Sequence, residues 1–406
     1  SSPNSHLRRP MLGTLTWRAC AVVGIGVLAV CLHNWSKPDK DWGKLSQAND
    51  EALVSVCQVV ARRLRAAGFW EDNKEKEYMM ASGALATILR EMGRRKDSLA
   101  VQFECMDLLA VSVAGVGRHQ AAAGKRGALE VVLQAMRVHP HQAMLVGRSA
   151  TTLGVLCDHC ANNSEAFAKM GAVELFFEAL RDHGDNPQTL FELYCGFTGI
   201  TCHNVSENNQ KVVELGLIEI GIQHMYRFPA AHSLREEVMP VLNCLSVVPW
   251  NETNRQRIID GGYMQAVLSA MRDFPGDQRL VSKGLESIRD FSIGRPDWGV
   301  KWREAGAIPV MAEVMANFQP LKEGAVFWNV HTSGAEGAWV LAHEGPVCWA
   351  AMRRAKLHKQ LVRSLDGDQQ AEVAACNALR MIATDGPEAR RELYRDGVPA
   401  RCLPAE

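Results

Sequence analysis

Apolar residues recur at three- and four-residue intervals between Gly127 and Pro140, at Leu129, Val132, Leu133 and Met136. That spacing predicts an amphipathic helix. The stretch reads "GALEVVLQAMRVHP", and "GYMQAVLSAMRDFP" repeats its pattern from Gly262 to Pro275. Related phrases start at Gly83, Gly171, Gly216 and Gly306, so that successive spacings are 44, 44, 45, 46 and 44 residues. A Met follows nine positions after the Gly at Met92, Met136, Met225, Met271 and Met315, with Leu180 in the remaining unit. A seventh, irregular unit centres on Ala355, 49 residues after Gly306, and an eighth begins at Gly397.

Each unit reads as three helices. The Gly ends a short first helix, because a residue with positive φ is accommodated most easily by glycine. Pro140, Pro229 and Pro275 stop the second helix, which Pro cannot continue. A longer third helix follows, such as "LVSKGLESIRDFS" from Leu280 to Ser292. A unit of this kind exposes an apolar face that only its neighbours can bury, and a period near 44 falls in the two- or three-helix solenoid class.

Units such as "NRQRIIDGGYMQAVLSAM" and "VKWREAGAIPVMAEVM" resemble the armadillo-repeat family over residues 75–406. The resemblance implies an all-α, right-handed solenoid of about seven to eight repeats. Peptide-binding members of that family carry an Asn ladder on the third helix. The corresponding positions here are Cys157, Cys202, Ser246 and Asp290, and none is Asn. Their spacings of 45, 44 and 44 predict that they stack, and their identities favour a side-on protein contact over clamping of an extended peptide.

The pattern changes near the start of the chain. "WRACAVVGIGVLAVCLHNW" holds no charged residue from Ala19 to Leu32, and Trp17 and Trp35 bracket the run. Eighteen helical rises span about 27 Å, close to the hydrocarbon thickness of about 30 Å. Trp favours both membrane interfaces and Arg18 can snorkel at one of them. We expect a single transmembrane helix over 17–35 anchored by Trp17, Arg18 and Trp35, after a tail over 1–16. A signal-peptide core and a buried solenoid helix are the alternatives. A polar linker over 36–47 and a capping helix region over 48–74 follow, with Leu53, Val56, Val60 and Leu64 on one helix face and Gly68 at its end. Arg8, Arg9 and Arg18 precede the span and Lys37, Lys40 and Lys44 follow it, the latter diluted by Asp39 and Asp41, so the charges are nearly even and lean the N-terminus only slightly to the matrix or cytoplasmic side.

Composition narrows the function more by exclusion. Lys+Arg and Asp+Glu are equal at 45 each, so no bulk field draws the 406-residue chain to nucleic acid. Its 12 cysteines are spread thinly, which predicts mostly reduced core thiols. "CDHC" at 157–160 lacks the second pair that a structural zinc site wants, although Cys195, Cys202 and His203 belong to the next unit. "AAAGKRG" at 121–127 lacks the phosphate-loop spacing, and metalloprotease, nucleophile-elbow and calcium-loop patterns are missing. We therefore expect no catalytic, cofactor or metal residues. Asn162, Asn204 and Asn251 open glycosylation sequons that count only in a secretory compartment. Between Ala325 and Arg354, Trp328, Trp339 and Trp349 cluster within 22 positions, as a distorted core or as a protein-contact surface.

These features predict a non-catalytic, membrane-anchored scaffold, an accessory or assembly subunit of a large membrane complex whose partners are other protein subunits and the bilayer, with no nucleic acid. A mitochondrial inner-membrane respiratory or ATP-synthase assembly is the favoured address, on the missing initiator Met, the basic start and the unpaired cysteines; a thylakoid membrane is the second. A tethered adaptor for peptide or protein cargo, and a zinc- or redox-active protein using Cys157 and Cys160, are the competing readings.

Overall fold

A computed structural model describes residues 42–68, 72–202, 206–247, 252–322 and 328–404. The expected membrane segment with Trp17, Arg18 and Trp35 lies outside them. Among the described residues the chain is built of 23 α-helices and two short 3₁₀ turns, without strands, and no helix is long and apolar enough to cross a membrane. The chain divides into two compact units, Ser1–Ser112 and Val113–Glu406.

In the first unit, the helix Asp50–Ala66 starts on Asn49, whose side chain accepts the Ala52 N–H at 2.9 Å. Such a cap satisfies a backbone donor that the first turn leaves unpaired. Leu53, Val56, Val60 and Leu64 are buried on one face. The helices Lys74–Ala81, Ala84–Arg94 and Leu99–Val113 complete a three-helix repeat around Gly83.

The second unit holds six further repeats. Their third helices are Ala143–Cys157, Pro187–Thr201, His232–Val247, Gln278–Ser292, Val330–Ala342 and Gln369–Ala383, and each packs against the next. This is the helical, solenoid-like stacking that the period implies. The repeat glycines Gly127, Gly171, Gly216, Gly262 and Gly306 all have φ between 69° and 91°. In the sixth repeat the left-handed position is Lys356 (φ 60°), one residue beyond the expected Ala355. The extra length lies between the helix Ala307–Ala316 and the third helix at Val330. The stretch expected as one irregular unit is instead two ordinary pieces, a third helix and the next first helix, Pro346–Arg354, with residues 323–327 outside the description.

A second periodic signal joins the repeats. Asn163, Asn208 and Asn254 each stand eight residues before a repeat glycine, on first helices. Asn163 donates to Leu156 O (2.7 Å) and Gln120 O (2.9 Å), and Asn254 to Leu245 O (3.2 Å). Asn208 donates to Ser164 Oγ at 2.8 Å, and its neighbour Asn209 to Thr201 O at 3.2 Å. These buried amides satisfy carbonyls at third-helix ends and bond adjacent first helices, a need set by the unpaired groups at every helix terminus. In the next repeat Trp298 takes this place and is buried at 1% exposure, with Trp302 beside it at 0%.

The cysteine expectation holds for six of the ten described cysteines and is corrected for the other four. Cys202 pairs with Cys244, joining successive third helices, and Cys376 pairs with Cys402, fastening the C-terminal segment to the last one. Four of the ten described cysteines are thus oxidised; the rest are buried or half-buried, including Cys157 and Cys160. Spacing alone could not reveal the pairs, because bridging depends on Cα positions about 5–6 Å apart in space.

A Trp-centred groove on the third helices

The exposed faces of the third helices carry the candidate site. Asp277, Asn329 and Asp368 cap three successive third helices by accepting N–H bonds from their first turns, for example Leu280 N at 3.2 Å and Ala371 N at 2.7 Å. These caps satisfy backbone donors that each first turn leaves unpaired. Three large apolar residues along these helices face solvent: Ile293 (43% exposed), Trp339 (36%) and Val373 (53%). Trp339 stands between two adjoining hollows. One, of about 540 Å³, runs between Gln278–Ser292 and Val330–Ala342 and is lined by Ile293, Pro296, Val340 and His343. The other, of about 480 Å³, lies against Gln369–Ala383 and is lined by Gln369, Val373 and Ala374.

The polar rim is tied together. Arg289 donates to Asp290 (2.8 Å) and to Glu336 (2.5 Å), and Gln370 donates to the other oxygen of Glu336. Asp368 accepts from Asn329 at 2.8 Å and from Thr332 at 2.7 Å, while Arg295 pairs with Asp297 and Glu252. Burial pushes the Asp290 carboxyl up, partly offset by Arg289. The His343 ring packs on Trp339 at 5.9 Å between centroids, its Nδ1 2.9 Å from Trp339 O.

The two other tryptophans singled out in the sequence have different surroundings. Trp328 is half-buried, with the Arg279 and Lys283 cations over its ring at 5.3 and 5.1 Å. Those cations also hold two buried carboxylates of the preceding repeat: Lys283 Nζ lies 2.9 Å from Glu237 and 3.4 Å from Glu236. Burial pushes the Glu236 carboxyl up, against the pull of Lys283 and Arg279. Trp349 is half-buried and its indole N–H donates to Ala342 O at 2.6 Å. Trp339 alone of the three presents a large open face. Sequence clustering could not separate them, because it does not say which side of a helix each occupies.

The expected ladder positions do not form one surface. Cys157 and Ser246 are buried, Cys202 is disulfide-bonded and Asp290 engages Arg289. Burial holds the Cys157 and Cys195 thiols well above their ordinary range, away from thiolate chemistry. Among the described residues, Cys157 and Cys160 join no group of three or more potential metal ligands. His203, Asn204 and Asn251 lie outside the described residues, and Asn162 is exposed on the first turn of Ala161–Lys169.

No protein-family model matches the sequence, and no curated protein matches it. Among solved structures, the chain is similar to an engineered protein whose crystal structure was determined by the Northeast Structural Genomics Consortium. The likeness covers 88% of this chain and 80% of that one, with a TM-score of 0.64 and 15% sequence identity. At that identity the likeness speaks to the fold alone: a stacked helical-repeat architecture, with function to be argued from the site.

Proposed function

We propose that the chain is a non-catalytic, armadillo-type scaffold, right-handed like that family, tethered by one helix over 17–35 and serving as an accessory or assembly subunit of a large membrane complex. The observation that carries this reading is the Trp339 groove: exposed Ile293, Trp339 and Val373 beside a rim whose charged groups are engaged in ion pairs and hydrogen bonds. Exposed apolar patches framed by polar groups mark protein contacts, and Trp is enriched among interface anchors. The buried thiols, with their raised pKa values, suit packing better than chemistry.

The disulfides change the address within that reading. Such bonds persist in oxidising compartments, so the solenoid belongs on the oxidising side of its membrane. That agrees with an N-terminus on the matrix or cytoplasmic side, and it removes unpaired cysteines as a reason for the mitochondrial address. A mitochondrial inner-membrane assembly is retained as the first location and a thylakoid membrane as the second.

Purification in mild detergent tests the reading. The full-length chain should migrate in a complex of several polypeptides, resist alkaline carbonate extraction, and expose no new thiols at Cys202 and Cys244 unless reductant is added. A chain that washes off the membrane and migrates at its own mass would end the scaffold proposal.

A further inference from the structure

We infer that Cys57 and Cys105 close a third disulfide, which clips the helix Asp50–Ala66 to the third helix of the first repeat, Leu99–Val113. The inference rests on the placement of the solenoid on the oxidising side of its membrane, and it goes beyond that placement by naming a bond that the structure holds as two thiols.

Three observations lead to it. First, the two side chains meet. Cys57 and Cys105 are both fully buried (0% exposed) within the first compact unit, and the Cys57 thiol hydrogen-bonds that of Cys105. Arg65 on the same helix pairs with Asp107, so the two helices meet at a second point. Second, this is the kind of seam that the chain already bridges. Asp50–Ala66 precedes the first helix of a repeat, Lys74–Ala81, just as each third helix precedes the next first helix. Cys57 and Cys105, 48 residues apart, thus stand on successive helices of the third-helix class, as Cys202 and Cys244 do at a separation of 42. The Cα atoms of that existing pair lie 5.0 Å apart, within the range that a disulfide needs. Third, the pair has few other uses. Among the described residues, neither thiol belongs to a group of three or more potential metal ligands. Burial, then the Cys105 thiol, pushes the Cys57 thiol up, away from thiolate chemistry in the folded chain.

That burial sets when the bond forms. Thiol–disulfide exchange needs a thiolate and access to it, and both are present only before Asp50–Ala66 docks. The thiolate of one cysteine attacks the disulfide of an oxidising protein and expels one of its sulfurs as a thiolate. The other cysteine, deprotonated in turn, attacks the chain's own sulfur in this mixed disulfide, forms the Cys57–Cys105 bond and expels the second thiolate. The chain loses two protons and two electrons, and the oxidant is reduced to a dithiol. Once the helix docks, the same burial shields the bond from reductant. The bond then ties the helix nearest the proposed tether to the first repeat.

Peptide mapping tests this. The full-length chain is alkylated with iodoacetamide before and after denaturation, without reductant, then digested and analysed by mass spectrometry. A peptide pair joined through Cys57 and Cys105 should appear beside the pairs joined through Cys202–Cys244 and Cys376–Cys402. In the native chain a dithiol reductant should open Cys376–Cys402, whose Cys376 is half-buried, before Cys57–Cys105. Cys57→Ala should speed hydrogen exchange across residues 50–66 by about ten-fold or more. Adding Cys105→Ala should change little further, since either substitution removes the same bond. Alkylation of both Cys57 and Cys105 while the other two pairs stay joined would overturn the inference and leave the oxidising placement standing. So would a bond from either residue to a different cysteine. Alkylation of all three pairs would bring down the inference and the placement together.

Discussion

Two seams between third helices solve the same packing problem in opposite ways. Ala143–Cys157 and Pro187–Thr201 meet backbone to backbone: a Cβ on Gly199 would stand 2.2 Å from Gly154 O, and one on Gly196 would stand 2.7 Å from Ala150 O. Thr151 donates to Glu192 O across the same seam at 3.3 Å. Between His232–Val247 and Gln278–Ser292, the contact is made instead by Glu236 and Glu237 against Lys283 and Arg279, with Trp328 over the cations. The glycine seam depends on the absence of side chains. The charged seam depends on their exact complement, since a buried charge is tolerated only when paired. A solenoid can thus keep one repeat length while varying how each joint is held, and the apolar groove belongs to the half with bulky joints.

The comparison can be broken most severely at Lys283. Replacing it with Met leaves two buried carboxylates with less compensation, and we expect a loss of about 3–5 kcal/mol. Chemical denaturation measures it. The triple change Lys283→Met, Glu236→Gln, Glu237→Gln should recover much of the loss; no recovery would mean that the cluster acts through packing rather than charge.

Gly199→Ala comes next. The obstruction is backbone carbonyl, which cannot move aside without parting the helices, so a cost of about 1–3 kcal/mol is expected. Gly284→Ala is its counterpart: the added Cβ meets Met271 Sδ at 2.5 Å, the flexible part of a side chain. Because Ala favours a helix over Gly by about 0.5–1 kcal/mol, this substitution should fall within about 1 kcal/mol of neutral. Met271 lies on the second helix of the same repeat, so equal costs for the two would mean that the carbonyl obstruction at the glycine seam does not set its penalty.

A pH dependence sharpens the glycine side. Burial, then Arg227, lowers the His224 pKa to about 4, and Tyr194 Oη lies 3.0 Å from its Nδ1. An unfolded His titrates near 6.5, so the unfolded chain takes up the proton first as pH falls. Stability from this group is full above about pH 6.5 and declines towards pH 4, by on the order of 1–3 kcal/mol. His224→Gln should flatten melting temperature against pH over that window; an unchanged slope would assign the acid sensitivity elsewhere.

The smallest expected change is at Lys356. A non-glycine residue at φ 60° carries strain, and Lys356→Gly should stabilise its own repeat, the seventh in the chain, by up to about 1 kcal/mol. Gly262→Ala should do the reverse, and hydrogen exchange should confine both effects to neighbouring repeats.

The fold was legible because a repeat is a local code. Gly127 and Gly262 mark left-handed turns, Pro140 and Pro275 stop helices, and apolar residues at helical spacing mark the buried face. Each signal lies within one unit, and stacking multiplies it. The site was legible only in part. The Trp cluster drew attention to the stretch that holds Trp339, but Trp328, Trp339 and Trp349 differ by what neighbouring repeats place over them.

The sequence by itself determined the all-helical class, the period and most of the turn positions, since these follow from backbone conformational preference and short-range periodicity. Tertiary structure decided the rest. It brought Cys202 to Cys244 and Cys376 to Cys402, aligned Asn163, Asn209 and Asn254 with carbonyls at third-helix ends, opposed Lys283 to the Glu236–Glu237 pair, and left Trp339 uncovered between Ile293 and Val373. The reason is geometric. A change of one residue in a helix start rotates every following side chain by about 100°, so which residues meet across a seam is fixed by the relative rotation of two helices, a quantity that no single repeat contains.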